Sequence, residues 1–152
     1  MGETRVEWWI GGRREAVYRA LTDADAVRRW RVPEGMTSEA HAFEAWEGGE
    51  FRVSLTYKGE TGTGKSTDRT DTYAGRFVEL VENERVVEVL AFETEDPGMQ
   101  GEMTITYTLR DEGGGTALSA VHAGLPPGVS EADNEVGWRM SLGKLAALVE
   151  GR

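Results

Sequence analysis

Three sets of residues in this 152-residue chain have the types and spacing to do chemistry. The run Gly59-Glu-Thr-Gly-Thr-Gly64-Lys65-Ser66 satisfies the phosphate-loop pattern G-x-x-x-x-G-K-[ST], directly after an apolar strand pattern. In such a loop Lys65 would meet the β- and γ-phosphates and Ser66 a magnesium ion, while the glycines let backbone amides approach the nucleotide. A histidine and a carboxylate form the second set: His122 and Glu88 each interrupt an apolar strand pattern, where a proton-transfer group would sit. The third is Tyr57, Tyr73 and Tyr107, whose hydroxyls each need a partner if enclosed. Three of them near one another point to a cavity with polar handles rather than dry packing.

Each set also has a plainer reading. A phosphate loop needs a helix next, but Ser66-Thr-Asp-Arg-Thr-Asp-Thr72 has no apolar stripe, and Asp96 is not placed at a clean strand end to hold the metal. A Gly/Thr-rich hairpin tip fits this segment better. A single histidine on the apolar face of a strand is more often a hydrogen-bonded core residue than a base, and His41 lies in a different strand without metal-pair spacing. Glu88 is expected on the solvent face of its strand; facing inward, it would be a cavity carboxylate with a raised pKa. Ser119 and Ser141 lack a glycine-flanked elbow, so no nucleophile is assigned. No catalytic residue, metal or cofactor is expected.

Composition narrows the classes further. There are no cysteines, which removes disulfides, thiolate metal sites and cysteine nucleophiles. Seventeen basic against twenty-seven acidic side chains give a net charge of −10, a field that repels phosphate backbones and anionic lipid, so nucleic acid is not an expected partner. No run approaches the roughly 18 apolar residues of a membrane span, and MGETRVEWWIGG holds no apolar signal core. The expected location is the cytoplasm.

The elements that must position these groups read mainly as strands. Alternation is clearest in Phe51, Val53, Leu55 and Tyr57 and in Met103, Ile105, Tyr107 and Leu109; Leu118, Ala120 and His122 follow it more weakly. Strands are predicted near 5–10, 36–46, 50–58, 72–81, 85–93, 102–110 and 116–123. Between Arg13 and Trp30 the period changes: Ala16, Val17, Ala20 and Leu21 form one stripe, and Val27 and Trp30 a second after Thr22-Asp23. Two short helices therefore follow the first strand. From Ser130, an N-cap, to Glu150 the chain reads as one amphipathic helix with Trp138, Leu142, Leu145 and Val149 on a single face. Such a stripe needs a broad concave partner. Consecutive strands without an intervening helix predict an antiparallel meander, and residues 1–152 read as one domain.

At this point the chain resembles a family. The segments Ala20-Leu-Thr-Asp-Ala-Asp-Ala-Val-Arg-Arg-Trp30, Pro33, Gly48-Gly49-Glu-Phe51-Arg52, Gly75-Arg-Phe-Val-Glu79, Glu84-Arg85-Val86-Val87, Gly115-Thr-Ala-Leu118, His122-Ala-Gly124-Leu125, Gly137-Trp138 and Leu145-Ala-Ala-Leu148-Val-Glu150 look like the signature of the SRPBCC, or START-like, superfamily. They look most like bacterial relatives of the C-terminal domain of the heat-shock-protein ATPase activator. The resemblance implies an α+β helix-grip fold: a curved antiparallel sheet of about seven strands wrapped around the long C-terminal helix, with an apolar cavity between them. This chain departs from the pattern in having Arg31 where relatives usually show a second tryptophan, and Trp46 where they often carry arginine.

The expected function is non-catalytic binding of a small apolar or amphipathic molecule between sheet and helix. Candidate lining residues are Phe51, Val53, Leu55, Tyr57, Tyr73, Phe77, Leu90, Met103, Ile105, Tyr107, Leu118, His122, Trp138 and Leu142. A chaperone partner met through the outer surface is one alternative, and a cavity enzyme using His122 or Glu88 is another. Trp8, Trp9 and Trp46, if outward, would form an apolar patch suited to a homodimer.

Overall fold

The computed structural model describes residues 2–58 and 70–152. In chain order the elements are β1 (Gly2–Ile10), α1 (Arg14–Thr22), α2 (Ala24–Trp30), β2 (Met36–Phe43), β3 (Glu50–Tyr57), β4 (Thr70–Val81), β5 (Arg85–Phe92), a short 3-10 turn (Pro97–Met99), β6 (Met103–Glu112), β7 (Gly115–Leu125) and α3 (Glu131–Glu150). The seven strands form one sheet in the order β1-β7-β6-β5-β4-β3-β2, antiparallel at every junction. This is the curved sheet and C-terminal helix of the helix-grip arrangement.

Local chemistry explains the boundaries. Ser130 caps α3 by accepting from the Asp133 N–H at 3.2 Å, and Asp23 caps α2 by accepting from Ala26 N–H at 3.1 Å. The second strand ends at Phe43 instead of running on to residue 46. A tight turn takes over there, in which Glu44 N–H donates to Glu50 O and Gly49 N–H to Trp46 O. β1 starts earlier than the alternation suggested, at Gly2, because its backbone pairs with Leu125 of a longer β7.

Helix α3 lies along β1, and the two match in length. Twenty residues of helix span about 30 Å, and nine residues of strand span about the same. Both ends are tied by carboxylates: Glu131 Oε2 accepts from Glu3 N–H at 2.9 Å, and Glu150 Oε2 accepts from Gly11 N–H at 2.6 Å. The Gly11 amide holds the Glu150 carboxyl below its usual range. Trp138, Leu142, Leu145 and Ala146 are buried on the face turned to the sheet. Each large side chain among them contributes roughly 1.5–3 kcal/mol. Val149 is partly buried and occupies the space where Gly12 would carry a Cβ, only 2.4 Å from its Cγ1.

The α1–α2 pair closes one end of the interior. Trp30 is fully buried, donates its indole N–H to Ala20 O at 2.9 Å and meets Tyr107 edge-on at 6.3 Å between ring centroids. Behind it, Phe43, Phe51 and Phe77 form an aromatic cluster with centroids 5.2–6.5 Å apart. Curvature in the sheet comes from bulges in β2 between Ala40 and Ala42 and in β4 between Phe77 and Glu79.

The three tryptophans do not share a surface. Neighbouring residues of a strand point to opposite faces, so Trp8 turns inward toward α3 near Gly143 while Trp9 stays 49% exposed. Trp46 is 60% exposed but belongs to the β2–β3 turn, at the other edge of the sheet. Among the described residues no helix is long and apolar enough to cross a membrane. The phosphate-loop residues Gly59 to Thr67, including Lys65 and Ser66, lie outside the described residues. The sheet around them is antiparallel, without the strand–helix alternation that such loops serve.

Two glycines give opposite predictions. A Cβ at Gly75 would fall 2.0 Å from Val89 O, so Gly75→Ala should cost about 2–3 kcal/mol. At Gly137, inside α3, a Cβ meets nothing within 4 Å, and Gly137→Ala should stabilise by roughly 0.5–1 kcal/mol. Urea unfolding midpoints of the two variants check both signs.

Candidate functional site

A cavity of about 450 Å³ lies between the sheet and the first half of α3. Its floor is built from alternate residues of five strands: Leu55 of β3, Tyr73 of β4, Leu90 and Phe92 of β5, Met103 and Ile105 of β6, and His122 of β7. Asn134, Trp138 and Ser141 of α3 form the roof. Arg31 and Pro33, just after α2, make one wall, and Met99, Gly128 and Val129 stand at the mouth, where Gly128 N–H donates to Gly98 O at 2.6 Å.

Seven of the fourteen candidate residues therefore meet the cavity: Leu55, Tyr73, Leu90, Met103, Ile105, His122 and Trp138. The other seven lie elsewhere. Phe51 and Phe77 are in the aromatic cluster, Val53, Leu118 and Leu142 are buried in the core, Tyr107 is wedged between Trp30 and Trp138, and Tyr57 is half-buried at the end of β3. The tyrosines consequently do not converge as a trio.

His122 has a defined protonation state. The Trp138 indole N–H can only donate, and it reaches His122 Nδ1 at 3.0 Å, so that nitrogen carries no proton. The Asn134 amide, which also donates to Thr4 Oγ1, approaches the same nitrogen at 3.2 Å. The ring proton is therefore on Nε2, 3.1 Å from Met103 Sδ. Burial, assisted by the Arg31 charge, lowers the imidazole pKa from 6.5 to about 4.

Glu88 corrects the sequence-based expectation. It is only 3% exposed and faces inward, where Oε1 accepts from Arg31 Nη1 at 2.9 Å. Strand β5 alternates after all: Val86, Glu88 and Leu90 are buried, whereas Val87, Val89 and Ala91 on the other face are half-buried. Because those outer residues are apolar too, the run looked continuous and concealed which face was inside. Arg31, only 14% exposed at its side chain, also stacks over the Tyr73 ring with its guanidinium carbon 4.9 Å from the centroid. Nearby, the hydroxyls of Tyr73 and Tyr107 are buried without a hydrogen-bond partner, and burial pushes both phenols above their usual range, so they stay protonated.

Arg31, Phe92, Met99, Val129, Asn134 and Ser141 are lining residues that pattern reading did not select. Glu88 stands alone among the apolar residues Val86 to Phe92, but Arg31 follows Arg28 and Arg29 and does not stand out in the sequence. His41 lies apart at the sheet edge, 2.8 Å from Ser54 Oγ. Ser119 sits on the other face of β7, paired with Thr108 and Glu7. Among the described residues no three His, Asp or Glu side chains are grouped to hold a metal ion.

Two measurements probe this interior. Arg31→Met leaves Glu88 charged and unpartnered and should cost about 3–5 kcal/mol, while the double variant Arg31→Met/Glu88→Met should recover most of that; urea unfolding at pH 7 compares them. For His122, the unfolded ring takes its proton near pH 6.5 and the folded ring only near 4, so its contribution is complete above 6.5 and is lost as pH falls toward 4. The loss is roughly 3 kcal/mol at about 1.4 per pKa unit. A His122→Phe variant should lack this part of the acid slope in unfolding curves collected between pH 7 and 4.

Comparison with known proteins places this geometry. Residues 12–150 match the model of the family described as Activator of Hsp90 ATPase homolog 1-like protein. A solved structure from Chromobacterium violaceum is 31% identical, covers 97% of this chain and 96% of its own, and superposes with a TM-score of 0.88. One from Rhodobacter sphaeroides, 21% identical over 97% of this chain and 93% of that one, gives 0.79. An AHSA1-like protein from Aeromonas hydrophila, 20% identical over 99% and 93%, gives 0.75. A search of curated proteins returned no match. By the family match over nearly its whole length, this chain belongs to the Activator of Hsp90 ATPase homolog 1-like family, within the SRPBCC superfamily.

Proposed function

We propose that the protein binds a small, largely apolar or amphipathic molecule in the cavity between the sheet and α3. The observation that carries this reading is the cavity itself. Its volume of about 450 Å³ lies within the usual range for small-molecule sites, and its walls are mostly apolar with a few fixed polar groups. The polar groups that could act as bases are engaged otherwise: His122 Nδ1 accepts from Trp138, and Glu88 accepts from Arg31. This supports binding over turnover.

Family membership supports a second reading, in which the outer surface meets a chaperone ATPase. The two separate cleanly. Ser141 lines the cavity from α3, and Ser141→Phe puts a ring into that space without altering the outer sheet face. With Nile red as probe, the wild-type protein should show enhanced dye emission and quenching of tryptophan fluorescence, with at least tenfold weaker binding in Ser141→Phe. Equal dye affinity in both proteins would remove the cavity reading. Capture of a chaperone ATPase that is indifferent to the substitution would favour the second.

A further inference from the structure

Resting on that cavity reading, we infer that the pocket selects a neutral ligand whose polar atom is a hydrogen-bond acceptor: a ketone, ester, amide or quinone carbonyl on an apolar body. The polar groups of the Arg31 wall and of His122 on the floor are donors. Arg31 has five N–H donors, and its bond to Glu88 engages Nη1. His122 is held by Trp138 with its proton on Nε2, and the atom facing that proton is the thioether of Met103, a weak acceptor. The strong acceptor in this neighbourhood, the Glu88 carboxylate, is already bound to Arg31. On the floor and the Arg31 wall a ligand donor would find no free strong acceptor, whereas a ligand acceptor would find the N–H groups of Arg31 and His122.

Charge decides between a carbonyl and a carboxylate. Glu88 neutralises Arg31, and His122 is an uncharged ring. A carboxylate ligand would bring an unbalanced negative charge into the interior, which is costly, whereas a carbonyl satisfies the same donors at no net charge. The α3 side of the cavity differs: Asp133, Asn134 and Ser141 line it and bring acceptor oxygens, so the donor set belongs to the floor and the Arg31 wall, and the Asp133 carboxylate adds to the penalty against an anionic ligand. Ser130 Oγ is engaged as the α3 cap, and the Asn134 amide N–H groups are directed to Thr4 and His122.

Three naphthyl probes of similar size test the inference: ethylnaphthalene, methyl naphthyl ketone and naphthoate, titrated against tryptophan fluorescence. Once each neutral probe's Kd is referred to its own water-to-alkane transfer, the ketone should gain roughly tenfold or more over the hydrocarbon. Naphthoate should bind more weakly than the ketone. In the complex the ketone carbonyl stretch should fall below its position in alkane, a readout that needs no variant. The double variant Arg31→Met/Glu88→Met, or His122→Phe should that protein not fold, should lower the ketone's gain severalfold and leave ethylnaphthalene affinity within about twofold. If none of the probes binds, the cavity reading itself fails. If the probes bind but the ketone shows no gain, the carbonyl band is unshifted, or naphthoate is the tightest, the cavity reading stands and the acceptor inference is overturned.

Discussion

The match in length between α3 and β1 constrains everything else in this molecule. With Glu131 holding the Glu3 amide and Glu150 holding the Gly11 amide, the helix is held in register with the strand at both ends. Its apolar face then fills the interior over β1 and the adjoining core, where Leu142 and Leu145 are fully buried. The remaining strands curve away beneath its first half. At one end that space is taken by Trp30 and the aromatic cluster, and at the other it stays open as the cavity. A rigidly placed helix over a curved sheet leaves residual volume, because side chains of fixed length cannot reach everywhere.

The sequence expressed the fold well because its two periodicities were seldom mixed. Phe51 through Tyr57 and Met103 through Leu109 alternate cleanly, and the Trp138 stripe keeps helical spacing, so strand, helix and facing were all readable. Cavity membership was less readable. Tyr73 and Phe77 lie on the same strand and are both buried, yet one meets the cavity and the other an aromatic cluster. Alternation says which way a side chain turns. It does not say whether the opposing helix comes close enough to cover it. Glu88 was misplaced for a different reason: both faces of β5 are apolar, so the period-two signal that should have located it was absent.

Arg31 and Glu88 show how a buried charge acquires meaning once its neighbour is known. A guanidinium would be costly in this interior without a carboxylate 2.9 Å away and an aromatic face beneath it. The pair is 57 residues apart in sequence and adjacent in space, so neither member explains itself alone. Together they turn an apolar wall into a polarised one while adding no net charge. The Tyr73 and Tyr107 hydroxyls are enclosed in the same interior.

The same helix that fixes the interior also shields the sheet from self-association. A terminal strand exposes a row of peptide groups on which a foreign strand could grow. Along β1, the amides of Glu3 and Gly11 are occupied by side chains of α3, so a template of this kind is blocked near both ends. At the opposite border, β2 carries an extra residue between Ala40 and Ala42 that breaks the regular spacing an added strand would need. An open sheet border invites pairing with another chain, and here each border has its own deterrent.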